Sequence, residues 1–138
     1  MPYAHPEALV GTDWLAAHLS DPHVRVVDGS VKLPGVTPTA RQDCDQAHIP
    51  GSRNVPYELV TDPATRQLKS ADELTRLFCD ARVALDRPIV TSCGSGVTAC
   101  ALAFALHLIG HPGAAVYDGS WSEWGLPGDT PIETGPAR

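Results

Sequence analysis

The sequence predicts an α/β domain: a mainly parallel central sheet with helices on both faces. Three observations carry this. Short β-branched or apolar runs, Val24-Arg25-Val26-Val27-Asp28, Pro88 to Ser92 and Ala114 to Asp118, alternate with helical segments. The 138 residues suit a single core. Each run ends on a residue able to do chemistry, Asp28, Cys93 or Asp118, and open parallel sheets bind ligands at those carboxyl ends.

The elements follow in order. Residues 1–10 form a lead-in. Thr12 to Leu19 reads as a short helix with Thr12 as N-cap and Trp14, Leu15 and Leu19 as apolar positions. Asp21-Pro22 stops it, and the strand from Val24 to Asp28 follows. Residues 31–47 are irregular, with room for a short helix between Thr39 and Ala47. His48-Ile49-Pro50-Gly51 is a turn whose histidine bonds the turn backbone, and Asn54-Val55-Pro56 is a brief strand. Ser70-Ala71-Asp72-Glu73 is a capping box, opening an amphipathic helix with Leu74, Leu77, Phe78 and Ala81 toward the core. Pro88 to Ser92 is a buried strand. The segment from Val97 to Ile109 is a helix apolar nearly all round, which predicts cover on both its faces and a buried Cys100, with Gly110 at its C-terminal cap. Ala114 to Asp118 is a strand, and a short helix ends at Trp124. The Pro/Gly-rich stretch from Leu126 to Arg138 is a surface tail. One domain therefore spans 1–138, with 1–10 and 126–138 peripheral.

The formal net charge is −6 with no basic block, which argues against nucleic acid as a partner. No apolar run reaches membrane-spanning length. The first residues, Met1-Pro2-Tyr3-Ala4-His5-Pro6, lack the pattern of a signal peptide, so a cytoplasmic location is expected. The four cysteines, Cys44, Cys79, Cys93 and Cys100, are then expected to be reduced. Without C-x-x-C pairing they indicate no metal site.

Cys93-Gly94-Ser95-Gly96-Val97-Thr98 is the most informative segment. A strand that ends in cysteine, turns through glycines and enters a helix is built to hold an anion. Its backbone N–H groups converge, and the helix start adds the positive end of a dipole. A thiol placed there ionises more easily, and the thiolate is the nucleophile. Ser95 and Thr98 offer hydroxyl donors, or alternatively helix caps. A substrate carboxylate would need a guanidinium, and Arg41 and Arg53 are the candidates.

These residues resemble the rhodanese (sulfurtransferase) domain, and within it the 3-mercaptopyruvate sulfurtransferases. The resemblance rests on His48-Ile49-Pro50-Gly51 with Asn54-Val55-Pro56, on Cys93 to Cys100, on Val116 to Trp121, and on Glu123-Trp124-Gly125. It implies that Cys93 accepts sulfur as a persulfide and passes it to a thiol or cyanide acceptor, such as a thioredoxin-like protein. It implies no metal and no organic cofactor. Cys93 and Ser95 become the catalytic pair, and Gly94, Gly96, Val97, Thr98, Arg41 and Arg53 the substrate-binding set. The chain departs from the family in two ways. Typical mercaptopyruvate enzymes have two such domains with the site between them, so a homodimer is one way to supply a missing cleft wall. The segment Asp28-Gly29-Ser30 also lacks an arginine found there in the family, which bears on the donor more than on the chemistry at Cys93.

Three alternatives stand beside a mercaptopyruvate-type enzyme. Thiosulfate sulfurtransferases usually carry basic residues where this loop has Gly94 and Ser95. Dual-specificity phosphatases of the same fold end a longer loop in arginine, where this chain has Ala99. A non-enzymatic persulfide carrier serving a protein partner is the third.

Overall fold

Consecutive valines in a strand face opposite sides of a sheet, and Val26 and Val27 divide the molecule in this way. They lie in β2 (Arg25–Asp28), which pairs in parallel with β5 (Ile89–Ser92), Val26 beside Val90 and Val27 beside Thr91. The computed structural model describes residues 9–29 and 47–135. Among these, β1 (Leu9–Val10), β4 (Arg53–Asn54) and β6 (Ala115–Tyr117) complete a five-stranded sheet in the order β1-β6-β5-β2-β4. Every neighbouring pair is parallel. The short helix expected between Thr39 and Ala47 lies outside the described residues apart from Ala47, which is in a strand.

Helices cover both faces. On one side Val26 and Val90 pack with Leu15 of α1 (Thr12–His18) and with Trp121 and Trp124 of α4 (Ser120–Trp124). On the other, Val27 and Ile89 pack with Leu74 and Phe78 of α2 (Ala71–Asp80) and with Leu102, Ala105 and Leu106 of α3 (Val97–Leu108). The capping box forms as expected: the Ser70 hydroxyl accepts from the Glu73 N–H, and the Glu73 carboxylate accepts from the Ser70 N–H. The Ser70 hydroxyl, 2.6 Å from the Glu73 carboxylate, and then the Ser70 N–H hold the Glu73 carboxyl below its usual range. The segment from Leu126 is mostly exposed, but Glu133–Thr134 (β7) pairs antiparallel with Ala47–His48 (β3), and the Trp124 indole N–H donates to the Pro131 carbonyl.

Two expectations are corrected. Thr12 does not cap α1. Gly11 occupies the cap, and Thr12 is the first helical residue, with its hydroxyl on the Tyr117 hydroxyl and the Glu123 carboxylate. Those distant partners, unreadable from local sequence, take the hydroxyl away from the helix end. Among the described residues the all-apolar α3 is covered on one face only. Val97, Phe104 and Leu108 are 73%, 53% and 48% exposed, and Cys100 is exposed with its thiol on the Gly96 carbonyl. Small and aliphatic residues at Ala99, Leu102, Ala105 and Leu106 suffice to seat the helix on the sheet. The apolar outer face is a matter of composition and not of packing.

This division predicts unequal penalties. Phe78→Ala should lower unfolding free energy by about 3–5 kcal/mol, because it opens a cavity at a fully buried position. Leu108→Ala, on the outer face of α3, should change it by about 0.5 kcal/mol or less. Urea unfolding followed by circular dichroism distinguishes the two.

Candidate active site

β5 ends at Ser92, and the chain leaves the sheet at Cys93. It reaches α3 through a turn that only one glycine makes possible. Gly96 has φ +90°, and a Cβ there would lie 2.6 Å from the Asp118 carbonyl oxygen. Gly94 has neither constraint. Thus the strand-end residue Asp118 closes against the loop through its backbone.

Gly96 is also the N-cap of α3, and no side chain caps that helix. The first N–H groups of a helix lack intrahelical partners. Here the Cys93 sulfur takes that place. The Gly96 N–H donates to Sγ at 3.0 Å, and the Thr98 hydroxyl and the Ala99 and Ser95 N–H groups are near enough to favour its charged form. Cys93 is only 2% exposed. Burial alone pushes the thiol up. The hydrogen bonds from Thr98, Ala99, Ser95 and Gly96 outweigh that effect and leave it below its ordinary value. Thr98 therefore does not act as a cap. Its hydroxyl lies 3.2 Å from the Gly29 carbonyl and has one proton to share between that oxygen and the sulfur. A thiolate is the stronger acceptor.

The far side of the loop is held by α4. The Ser120 hydroxyl accepts from the Cys93 N–H at 3.1 Å and donates to the Tyr117 carbonyl at 2.8 Å. The Trp121 N–H donates to the Cys93 carbonyl at 2.9 Å. The Ser122 N–H and hydroxyl both donate to the Gly94 carbonyl, at 2.8 and 2.7 Å. Ser120 and Ser122 were not legible as site residues in the sequence. The only local signal is a pair of hydroxyls in a strand-to-helix turn, and nothing there shows that they reach back to Cys93 and Gly94.

The other candidates are placed as follows. Ser95 is exposed, with its N–H on the sulfur. Val97 projects from the first turn of α3. Arg53, partly buried, lies in β4, level with Val27 of β2 and through it with Thr91 of β5. Two inter-strand spacings, roughly 10 Å, separate it from the strand that carries the cysteine. Arg41 and Cys44 lie outside the described residues. His48 is buried in β3, where its Nδ1–H donates to the Ile49 carbonyl at 3.1 Å, the backbone bond expected of it. Among the described residues no group of three His, Cys, Asp or Glu side chains is placed to hold a metal ion. A cleft before the amino ends of β5 and β6, lined by Asp86, Arg87, Pro88 and His111 among others, contains no cysteine, serine or threonine.

The rhodanese-like domain model matches residues 11–126. The chain is 37% identical over 131 residues to thiosulfate/3-mercaptopyruvate sulfurtransferase 1, mitochondrial, of Arabidopsis thaliana, covering 94% of this chain and 34% of that protein. It is 39% identical over 132 residues to the 3-mercaptopyruvate sulfurtransferase of Escherichia coli strain K12, covering 94% of this chain and 46% of the relative. A solved structure of the Escherichia coli 3-mercaptopyruvate enzyme SseA superposes with a TM-score of 0.65 at 35% identity, over 86% of this chain and 44% of that one. The chain thus spans between a third and a half of the length of these relatives.

Two outcomes are expected from the site. Alkylation of Cys93, followed by peptide mass spectrometry, should have a pH midpoint below that of a free thiol. Because the folded state favours the thiolate, reactivity and the associated stability are present above the unfolded thiol's pKa and are lost as pH falls through the lowered value. A midpoint at or above the free-thiol value would contradict the geometry. Gly96→Ala should lower stability by about 1–3 kcal/mol and raise that midpoint, since it forces a side chain into the left-handed region and against the Asp118 carbonyl.

Proposed function

The chain belongs to the rhodanese-like domain family, and from that premise we propose that it is a sulfurtransferase that carries sulfur on Cys93. The observation that supports this most is one buried sulfur at the turn from β5 into α3, accepting the Gly96 N–H at 3.0 Å beside an otherwise uncapped helix start. The Cys93 thiolate attacks the sulfur of the donor. With 3-mercaptopyruvate, the S–S bond forms as the C–S bond breaks, leaving Cys93 as a persulfide and the organic fragment as pyruvate enolate, which takes up a proton. An acceptor thiolate then attacks the outer sulfur, and Cys93 is released as a thiolate for the next cycle. The loop N–H groups hold the anionic sulfur at each stage. Ser95, exposed on the same loop, is positioned to meet the leaving fragment.

The loop residues Gly94, Ser95, Gly96, Val97, Thr98 and Ala99 include no cation. That favours a donor whose reacting sulfur carries little charge over dianionic thiosulfate. It also disfavours phosphoryl transfer, which needs a guanidinium clamp on the phosphate oxygens. Arg41 and Arg53 are the proposed contacts for the donor carboxylate. The mercaptopyruvate reading predicts pyruvate and sulfide from 3-mercaptopyruvate and dithiothreitol, faster than any sulfur transfer from thiosulfate to cyanide. Cys93→Ser should reduce both to background. Wild-type turnover no greater than that of Cys93→Ser would exclude the proposed activity. A protein that becomes persulfidated but turns over slowly with every small acceptor would instead be a carrier for a protein partner.

A further inference from the structure

We propose that Ser120 and Ser122 are positioning residues that preset the anion cradle, by holding the polar backbone groups of Cys93 and Gly94 that face away from the sulfur. The argument begins with the rigid peptide plane. In a trans peptide the C=O and the following N–H point in opposite directions. Ser122 fixes the Gly94 carbonyl with two donors, at 2.8 and 2.7 Å. The Ser95 N–H, on the other side of that same plane, is thereby turned toward Cys93, where it favours the charged sulfur. Trp121 fixes the preceding plane through the Cys93 carbonyl at 2.9 Å, and Ser120 fixes the plane before that, Ser92–Cys93, by accepting the Cys93 N–H at 3.1 Å. Three consecutive residues of α4 thus hold three polar groups in two residues of the loop.

The backbone of Ser120 gives independent support. Its φ is +47°, in the left-handed region where glycine is favoured, although Gly119 beside it has φ −59°. Ser120 is also fully buried. A glycine at 120 would relax the backbone, but it would remove the hydroxyl that links Cys93 to Tyr117. Strain retained at a position hydrogen-bonded to the backbone of the reactive residue points to a need for the hydroxyl itself. Both serines act through backbone and neither touches a reacting atom in this arrangement.

The proposal rests on Cys93 being the reactive thiol, but its test requires no sulfur donor. The pH midpoint of Cys93 alkylation by iodoacetamide is measured by peptide mass spectrometry, which separates Cys93 from the exposed Cys79 and Cys100. It is compared in the wild type, Ser120→Ala, Ser120→Gly and Ser122→Ala. The midpoint should rise by about half to one unit in both Ser120 variants as the donors lose aim, and by less in Ser122→Ala, which keeps its backbone donor. Ser120→Gly should unfold at higher urea than Ser120→Ala, yet share its raised midpoint, since relaxing the backbone does not replace the hydroxyl. Folded variants with a midpoint within about 0.2 units of the wild type would overturn the positioning role. If the Ser120 variants fail to fold, the exposed Ser122→Ala decides the question alone: a raised midpoint supports the role and an unmoved one overturns it. Failure of the wild type to consume 3-mercaptopyruvate would remove the proposed activity without altering this result.

Discussion

The structure depends on a contest at one sulfur atom. Burial disfavours a charged Cys93, while the Thr98 hydroxyl, the Ala99 N–H in the first turn of α3 and the loop N–H groups of Ser95 and Gly96 favour it. Each side supplies what the other lacks. The helix has no side-chain cap, and among the described residues the thiol has no counter-ion. Placing sulfur where an N-cap oxygen normally sits meets both needs, and it makes helix integrity and thiol ionisation a single property. An uncapped α3 and a protonated Cys93 would be the same defect seen from two sides.

Much of the remaining fold can be read as the support for that arrangement. The parallel pairing of β5 between β2 and β6 brings Asp28, Cys93 and Asp118 to one edge. The Gly29 N–H donates to the Ser92 carbonyl at 2.7 Å, just before the cysteine, and a Cβ on Gly29 would lie 2.9 Å from Leu102 of α3. The loop after β2 is thus in direct contact with the helix that serves the sulfur. On the opposite face, α4 is anchored by the fully buried Trp124, whose ring meets Tyr117 edge-on at 6.1 Å, and so its first three residues have a firm base from which to hold the loop.

The parts legible in sequence are those whose physics is local. The strand–Cys–Gly-x-Gly–helix pattern, the capping box at Ser70 and the two-sided sheet each follow from residues a few positions apart. What escaped depends on contacts distant along the chain. Thr12 looks like a cap until Tyr117 and Glu123 claim its hydroxyl. Ser120 and Ser122 look like ordinary turn residues until Cys93 and Gly94 fold against them. The misreading of α3 has a different origin. A helix with no polar stripe does not reveal how many of its faces are covered, so Cys100 and Phe104 read as core although the described chain leaves them exposed.

The absence of a cation from the cradle bears on turnover as well as on donor choice. A thiol made very acidic becomes a poorer nucleophile, since reactivity toward sulfur falls with basicity, and the most effective attacking thiol has a pKa near the ambient pH. A lysine or arginine against Cys93 would push ionisation further and hold the resulting anion more tightly at every stage, including the persulfide that must be given up. Neutral donors acting against burial lower the thiol from its ordinary value with no fixed charge among the described residues to trap the anion. The same moderation requires that the donors be well aimed, because a dipole's effect depends on its direction where a full charge's does not. A site of this kind therefore relies on geometry, and the side chains that fix the loop's backbone matter to its chemistry as directly as those that surround the sulfur.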